Sequence, residues 1–194
     1  MGTTPAPSDG QTSHAATSTN GTTAERERYA EVFMDALAQA RVELVTALPE
    51  SLLKHIYRRL SAQSAIRYVQ VTNEAELPGI VAGAYFGGVR AVMIMENSGL
   101  RQACEPIARF EFSHQVPMVM IMPFRGDLGE RNWWGHSHAQ TMEPLLNALR
   151  IPFRHVRRLD QLPSMMSKAL DHAESSQLPV ALVLGGECID GGPR

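Results

Sequence analysis

Side chains that can exchange a proton or bind an anion concentrate in three short segments of the sequence. They are Glu74 in the segment 72–76, Asn97 and Ser98 in 96–100, and Arg125, His136 and His138 in 123–138. An arginine binds planar anions through two parallel hydrogen bonds, and a histidine changes its charge near neutral pH. The two cysteines, Cys104 and Cys188, lie outside any Cys/His spacing typical of a metal centre, so no metal site is predicted.

Helical and strand-like patterns alternate along the chain and place these segments. Helical spacing of apolar residues occurs in 25–41, 49–60, 74–86, 98–113, 139–149 and 160–174, and strand-like segments occupy 42–47, 67–71, 91–95, 116–122, 153–156 and 180–184. Most of these strand-like segments are continuous apolar runs without alternation, which is typical of strands covered on both faces. The alternation predicts an α/β fold, a doubly wound and mostly parallel sheet with helices on both faces. Ligands of such folds bind beyond the carboxyl ends of the strands, where the three polar segments lie.

Composition limits the classes of partner. The formal net charge is −2, which gives no electrostatic reason to expect nucleic acid or an anionic membrane. No apolar run is long enough to span a bilayer, and two cysteines without a disulfide framework favour the cytoplasm. Residues 1–23 are Thr, Ser, Gly, Pro and Ala with almost no large apolar side chain, so we expect a disordered tail there and one domain over 24–194.

Local spacing gives Glu74 an ordinary explanation as well. Asn73 can cap the next helix, and Glu76 can complete a capping box with it, which leaves Glu74 to complement the helix dipole. The same helix carries Gly79, Gly83 and Gly87, and repeated glycine costs about 1 kcal/mol per residue in a helix interior. Close approach of another helix or another subunit would account for those glycines.

Five pieces of the sequence together resemble a known enzyme family. They are 45–51, Asn73-Glu74 with Gly83 after them, 95–100, Arg125-Gly126 and Ile151-Pro152. In order and with similar gaps, they resemble the pyrimidine-binding domain of sulfopyruvate and phosphonopyruvate decarboxylases over residues 42–184. The Asn-Glu pair is shared with thiamine-diphosphate enzymes generally, whereas the Asn-Ser-Gly-Leu loop narrows the resemblance to these decarboxylases.

The resemblance implies thiamine diphosphate as cofactor and a 2-oxoacid as substrate. Glu74 matches the family's glutamate that hydrogen-bonds the aminopyrimidine ring and activates the cofactor, which then carries the difficult chemistry while CO2 leaves. The family's loop beside the pyrimidine is matched by Asn97, Ser98, Gly99 and Leu100. An ordinary helix cap at Ser98 is the alternative for this loop.

Resemblance also implies a substrate entrance at Arg125, to which we add His136 and His138 as substrate-binding candidates. The arginine would hold a sulfonate or phosphonate. Solvated loop surface is the alternative for each histidine. The sequence departs from the family pattern beside this entrance, since Gln is expected where Glu96 stands, Gly at Arg101 and Asn at Gln102.

One part of the cofactor site is missing from the sequence. The family holds Mg2+ and the diphosphate through Gly-Asp-Gly followed by Asn, and the nearest match here, Asp190-Gly191-Gly192, has no asparagine after it. We therefore expect a separate β subunit that carries the diphosphate and Mg2+, in an α2β2 assembly or a multiple of it. The glycine-bearing helix 74–88 is the candidate contact.

Three functions remain open at this point. The first is the α subunit of a decarboxylase that converts sulfopyruvate to sulfoacetaldehyde and CO2. The second changes the substrate to phosphonopyruvate or another 2-oxoacid, with decarboxylation or carboligation as the outcome. The third, from a different class, is a non-catalytic flavodoxin-like binding module.

Overall fold

Six parallel strands form one sheet within residues 22–189, the part of the chain that the computed structural model describes. The strands are β1 (Leu44–Ala47), β2 (Arg67–Gln70), β3 (Ala91–Ile94), β4 (Val119–Pro123), β5 (Phe153–Val156) and β6 (Val180–Leu184). Their spatial order is β2-β1-β3-β4-β6-β5. The four inner strands are buried along their whole length, as their continuously apolar sequences predict.

Within the described residues, six α-helices alternate with the strands and cover both faces of the sheet. They are α1 (Thr23–Gln39), α2 (Lys54–Ala62), α3 (Leu77–Phe86), α4 (Leu100–His114), α5 (Trp133–Ala148) and α6 (Leu162–Ser176). One core lies between the sheet and α1, α2 and α6, and a second lies between the sheet and α3, α4 and α5. The predicted doubly wound parallel sheet is therefore confirmed.

The start of the first helix follows from its cap. The Thr22 hydroxyl accepts the N–H of Glu25, and the Glu25 carboxylate accepts the N–H of Thr22, which forms a capping box. Of the tail predicted for 1–23, residues 1–21 lie outside the described residues, whereas Thr22 and Thr23 belong to this helix start. The Asp190-Gly191-Gly192 piece also lies outside them.

The start of α5 was predicted six residues too late. The helix begins at Trp133, so His136 and His138 lie in its first turns and not in a loop as predicted. The segment 133–138 lacks the periodic apolar residues that reveal a helix, because its inner surface packs on polar groups. Gly135 illustrates this, since a β-carbon at Gly135 would lie 2.7 Å from Cγ of Glu130.

Gly79 and Gly83 lie on the solvent side of α3. A β-carbon added at either position would have no atom within 4 Å, and both residues are exposed. Packing inside the domain is therefore not the reason for these two glycines. No helix in the described range is both long and apolar enough to cross a membrane.

Candidate active site

The loops that leave β1, β2, β3 and β4 meet at the carboxyl edge of the sheet. They carry Glu50, Glu74, Asn97 and Arg125 respectively. Strand β1 pairs with β2 at one of its edges and with β3 at the other, so the chain first moves to one side of β1 and then crosses to the opposite side. This reversal of direction opens a crevice between the loops. The sequence prediction that three polar segments share this edge is therefore met by the fold.

Glu74 opens the short 3-10 turn Glu74–Glu76 that leads into α3. The predicted capping box forms here: Asn73 Oδ1 accepts the N–H of Ala75, and Glu76 Oε1 accepts the N–H of Asn73, each at 2.8 Å. Glu76 therefore satisfies the helix start. Within residues 22–189 no hydrogen bond or ion pair holds the half-buried Glu74 carboxylate, which leaves it available to a ligand.

Gly99 packs directly against the Glu74 side chain. A β-carbon at Gly99 would lie 2.5 Å from Cγ of Glu74 and 2.9 Å from its Oε1. The backbone of Gly99 has ordinary helical angles, so the glycine is required by this close approach and not by its conformation. The Asn-Ser-Gly-Leu loop and the Asn-Glu pair are thus brought together, as the resemblance predicts.

Asn97 is fully buried and links the loops after β3 and β4. Its Oδ1 accepts the N–H of Arg125 at 3.0 Å, and its Nδ2 donates to the carbonyl of Arg125 at 2.9 Å. The side-chain amide of Asn97 therefore uses both its oxygen and its nitrogen in hydrogen bonds to the Arg125 backbone. Asn97 therefore acts on the site by fixing the backbone of Arg125.

The rest of this loop serves the start of α4. Leu100 is fully buried in the core, and the Ser98 hydroxyl donates a hydrogen bond to Glu96 Oε1 at 3.3 Å. The alternative that Ser98 is an ordinary helix cap is wrong, because α4 begins at Leu100 and its N-cap is Gly99, which has no side chain to donate or accept.

The guanidinium of Arg125 lies among acidic side chains at the carboxyl edge. Its Nε is 3.4 Å from Glu96 Oε2, and its Nη1 is 3.7 Å from Glu130 Oε2. Its Nη2 donates to Ser51 Oγ at 2.8 Å, and its Cζ lies 4.8 Å from the centre of the Trp134 ring. Only 7% of the Arg125 side chain is exposed, so the cation is held in place from several sides.

His138 joins this group from α5. Its Nδ1 lies 2.9 Å from Glu96 Oε1, although off the line of a well-directed hydrogen bond, and its ring packs against Trp134. We call Glu96, Arg125, Glu130 and His138 the Arg125 cluster. His136 is exposed and lies outside the cluster. It precedes His138 by two residues, and side chains two residues apart in an α-helix point to nearly opposite faces.

Burial and local hydrogen bonds act in opposite directions on Glu130. Burial alone would raise the pKa of this carboxyl. Hydrogen bonds from the N–H groups of Asn132 and Gly126, together with the charge of Arg125, outweigh burial and lower the pKa below its ordinary value. Glu130 therefore contributes a full negative charge beside the guanidinium at neutral pH.

Glu50 is a fourth acidic residue of the site that sequence reasoning did not select. Burial, with a smaller contribution from the neighbouring Glu96 carboxylate, raises its pKa to about 7 against the opposing hydrogen bond from the Leu52 N–H. Its other oxygen is buried and lacks a partner among the described residues. The available signal was its position, since an acid that directly follows a buried strand in such a fold faces the crevice.

Residues 22–189 contain no group of three His, Cys, Asp or Glu side chains that could hold a metal ion.

Comparison with known proteins gives a consistent set of relatives. No family model matches the chain. The sulfopyruvate decarboxylase subunit alpha of Methanococcus maripaludis is 29% identical over 154 residues, which cover 79% of this chain and 92% of that subunit. The corresponding subunit of Methanocaldococcus jannaschii is 27% identical over 149 residues, which cover 77% and 88% respectively. These relatives support the resemblance of the chain to sulfopyruvate decarboxylase alpha subunits and phosphonopyruvate decarboxylases.

Other relatives are similar over a shorter stretch or in fold alone. The phosphonopyruvate decarboxylase of Streptomyces viridochromogenes is 34% identical over 91 residues, which are 47% of this chain and 23% of that enzyme. Among solved structures, a 2-oxoglutarate:ferredoxin oxidoreductase from Magnetococcus marinus superposes with a TM-score of 0.63 and 16% identity. That superposition covers 83% of this chain and 29% of the oxidoreductase chain, and it shows a shared fold alone.

Proposed function

We propose that this chain is the α subunit of a two-component, thiamine-diphosphate-dependent 2-oxoacid decarboxylase that converts sulfopyruvate to sulfoacetaldehyde and CO2. The observation that carries the proposal is the contact of Glu74 with Gly99, in a chain whose relatives are named sulfopyruvate decarboxylase subunit alpha. Phosphonopyruvate is the second candidate substrate, because a phosphonopyruvate decarboxylase is also among the relatives.

The residues at the carboxyl edge fit the aminopyrimidine part of the cofactor. When bound, thiamine diphosphate supplies an electron sink for the bond that breaks on loss of CO2. The Glu74 carboxylate has no partner within the described chain, so it is available to hydrogen-bond a ring nitrogen and to share a proton with it. Gly99 keeps that carboxylate in position without covering it, and Ser98 and Leu100 hold the loop in place on either side.

Arg125 is the proposed contact for the charged end of the substrate. The guanidinium is buried beside the crevice, and Asn97 fixes its backbone to the loop that also carries Gly99. A buried arginine with a fixed backbone binds an anion at a defined place, because little side-chain freedom is lost on binding. His138 contacts the same cluster through Glu96, whereas His136 would need a partner or substrate that reaches the outside of α5.

The proposal requires a β subunit that holds Mg2+ and the diphosphate. The exposed face of α3 supports a subunit contact there, because Gly79 and Gly83 leave its backbone open to close approach. Phe86 lies one turn further along this helix and is 65% exposed, which adds apolar surface. A closed α2β2 assembly or a multiple of it would bury this face. We propose a cytoplasmic location, in line with the free thiols of Cys104 and Cys188.

The decisive experiment combines the purified chain with the product of a neighbouring gene that encodes Gly-Asp-Gly and a downstream asparagine. CO2 release from sulfopyruvate and from phosphonopyruvate is measured with thiamine diphosphate and Mg2+, for each subunit alone and for both together. We expect activity only with both subunits. A well-folded complex that releases no CO2 from either oxoacid contradicts the proposal and favours a non-catalytic binding module.

A further inference from the structure

One guanidinium in the Arg125 cluster is shared between two carboxylates. Glu96 Oε2 lies 3.4 Å from Nε of Arg125, and Glu130 Oε2 lies 3.7 Å from its Nη1. All three side chains are largely buried: Glu96 is 14% exposed, Glu130 is 6% exposed and Arg125 is 7% exposed. Charges shielded from water in this way interact more strongly than exposed ones. Arg125, Glu96 and Glu130 together bring one cationic group and two carboxylates to this place.

The surroundings add few positive charges to this balance. The charged or titratable groups around Arg125 and Glu96 on the packed elements include Glu50 after β1, Tyr57 on α2, Glu96 after β3, Glu130 and Asp127 after β4, Arg157 after β5, and His138 on α5. Arg101 on α4 is exposed, and its guanidinium donates to the Ser137 carbonyl and the Thr141 hydroxyl of α5. Arg157 is paired with Asp127 at 2.5 Å, so these two cancel. Glu50 becomes negative as the pH rises through about 7. An anionic substrate that approaches Arg125 therefore competes with Glu96 and Glu130 for the same cation.

The two candidate substrates differ in how much charge they bring to this place. A sulfonate has a single acidic proton and carries one negative charge throughout the neutral range. A phosphonate has two and, like a phosphate ester, approaches two negative charges near neutral pH. A second negative charge beside two carboxylates adds repulsion without a second cation to offset it.

We propose that Glu96 is a specificity-determining residue that makes the site select a 2-oxoacid with a singly charged tail, a sulfonate, over one with a doubly charged phosphonate. The inference rests on the proposed function and on Arg125 as the contact for the substrate tail. Glu96 stands where the family resemblance predicts glutamine, and an amide keeps the shape and hydrogen-bonding capacity of the side chain while removing its charge. Glu96→Gln therefore removes the charge of one of the two carboxylates beside Arg125 and leaves that of Glu130 in place.

The test compares Glu96→Gln with the unaltered enzyme, both as complexes with the β subunit. The ratio of kcat/KM for sulfopyruvate to kcat/KM for phosphonopyruvate is measured from pH 6 to pH 8.5. For the unaltered enzyme we expect a ratio above one that rises with pH as the phosphonate ionises. For Glu96→Gln we expect the ratio to fall about tenfold at pH 8, a change that corresponds to about 1.4 kcal/mol of selective repulsion.

The matched control is Glu31→Gln, which removes one carboxylate from the exposed surface of α1 and should leave the ratio unchanged. A second measurement, independent of turnover, is the rise in melting temperature of each complex with sulfoacetate or phosphonoacetate. We expect Glu96→Gln to increase the stabilisation by phosphonoacetate more than that by sulfoacetate. An unchanged ratio in an active Glu96→Gln enzyme, or an unaltered enzyme that prefers phosphonopyruvate, overturns the inference but leaves the decarboxylase function intact. A complex that decarboxylates neither oxoacid contradicts both.

Discussion

Gly99 lies so close to Glu74 that a β-carbon at Gly99 would stand 2.5 Å from Cγ of the glutamate. The backbone of Gly99 tolerates alanine, so the main effect of Gly99→Ala is to push the Glu74 carboxylate aside. We expect the α subunit to lose about 1 kcal/mol of stability or less, and kcat of the complex to fall about a hundredfold, as for a catalytic group displaced by about 1 Å. Steady-state kinetics and thermal unfolding measure the two effects. Unchanged kcat would show that this contact does not position Glu74 for the reaction.

Glu74 and Glu76 form a matched pair for separating chemistry from helix capping. Glu74→Gln should cost only about 0.3–1 kcal/mol through the helix dipole, while CO2 release drops to the level of the cofactor alone, because an amide cannot share the proton. Glu76→Gln removes the same charge two residues away and should keep activity, since Glu76 contacts only the backbone and side chain of its own turn. Near-normal decarboxylation by Glu74→Gln, or a larger loss in Glu76→Gln, would contradict the assignment.

The buried carboxyl of Glu50 predicts a pH dependence of stability. Its pKa is raised to about 7 in the folded chain, against an ordinary value of 4.5. The folded state therefore holds this proton more tightly, and the stability it contributes is complete below about pH 4.5 and is lost as the pH rises through 7. The difference amounts to roughly 3 kcal/mol as an upper figure. Glu50→Gln should accordingly gain stability relative to the unaltered chain at pH 8 but not at pH 4.5.

Urea unfolding of the isolated α subunit at both pH values measures this difference for Glu50→Gln. Glu31→Gln, on the exposed surface of α1, serves as the control and should show little change with pH relative to the unaltered chain. Equal effects of Glu50→Gln at the two pH values would exclude Glu50 as a titrating group in this range.

The open side of α3 predicts a substitution that affects assembly without affecting folding. Gly83→Leu adds a large side chain at a position where, among residues 22–189, nothing beyond the helix's own backbone lies within 4 Å of the added β-carbon, so the isolated α subunit should keep its melting temperature. Co-elution with the β subunit in size-exclusion chromatography should be lost or weakened. Lys168→Leu is the control, because it places a leucine on the exposed surface of α6 at the other face of the sheet. A lower melting temperature of isolated Gly83→Leu would instead assign the glycine to the stability of its own domain.

Periodicity and apolar runs were sufficient to predict the sheet and its six helices. The four inner strands are short, mostly apolar runs that are buried along their length, whereas the edge strands β2 and β5 carry polar residues and are partly exposed, so the pattern in the sequence reflects the environment in the fold. The start of α5 escaped this reasoning. Its first turn packs Gly135 on Glu130 and His138 near Glu96, so the face that points inward is polar and has no apolar period to detect.

Several residues of the candidate site could be predicted from the sequence, but the contacts between them could not. Glu74, the loop around Gly99 and Arg125 were selected from residue type and resemblance, and the fold brings their loops to one edge. The pairing of Arg125 with Glu130 joins residues five apart across a turn, and that with Glu96 joins residues of different loops. Such contacts depend on three-dimensional packing, which spacing alone does not encode. The same holds for the two hydrogen bonds by which Asn97 fixes the backbone of Arg125.

Glu74 follows β2, whereas Glu96 follows β3 and Arg125 follows β4, so the acid proposed to activate the cofactor and the side chains proposed to hold the substrate tail belong to different loops, which meet where Gly99 packs on Glu74. Mutations that alter one set need not disturb the other. A gene duplicate could therefore acquire a new substrate through single substitutions around Arg125 while the older chemistry at Glu74 persisted throughout. In such a lineage, substrate preference would change more often than reaction type, and residue 96 would be among the first positions to vary.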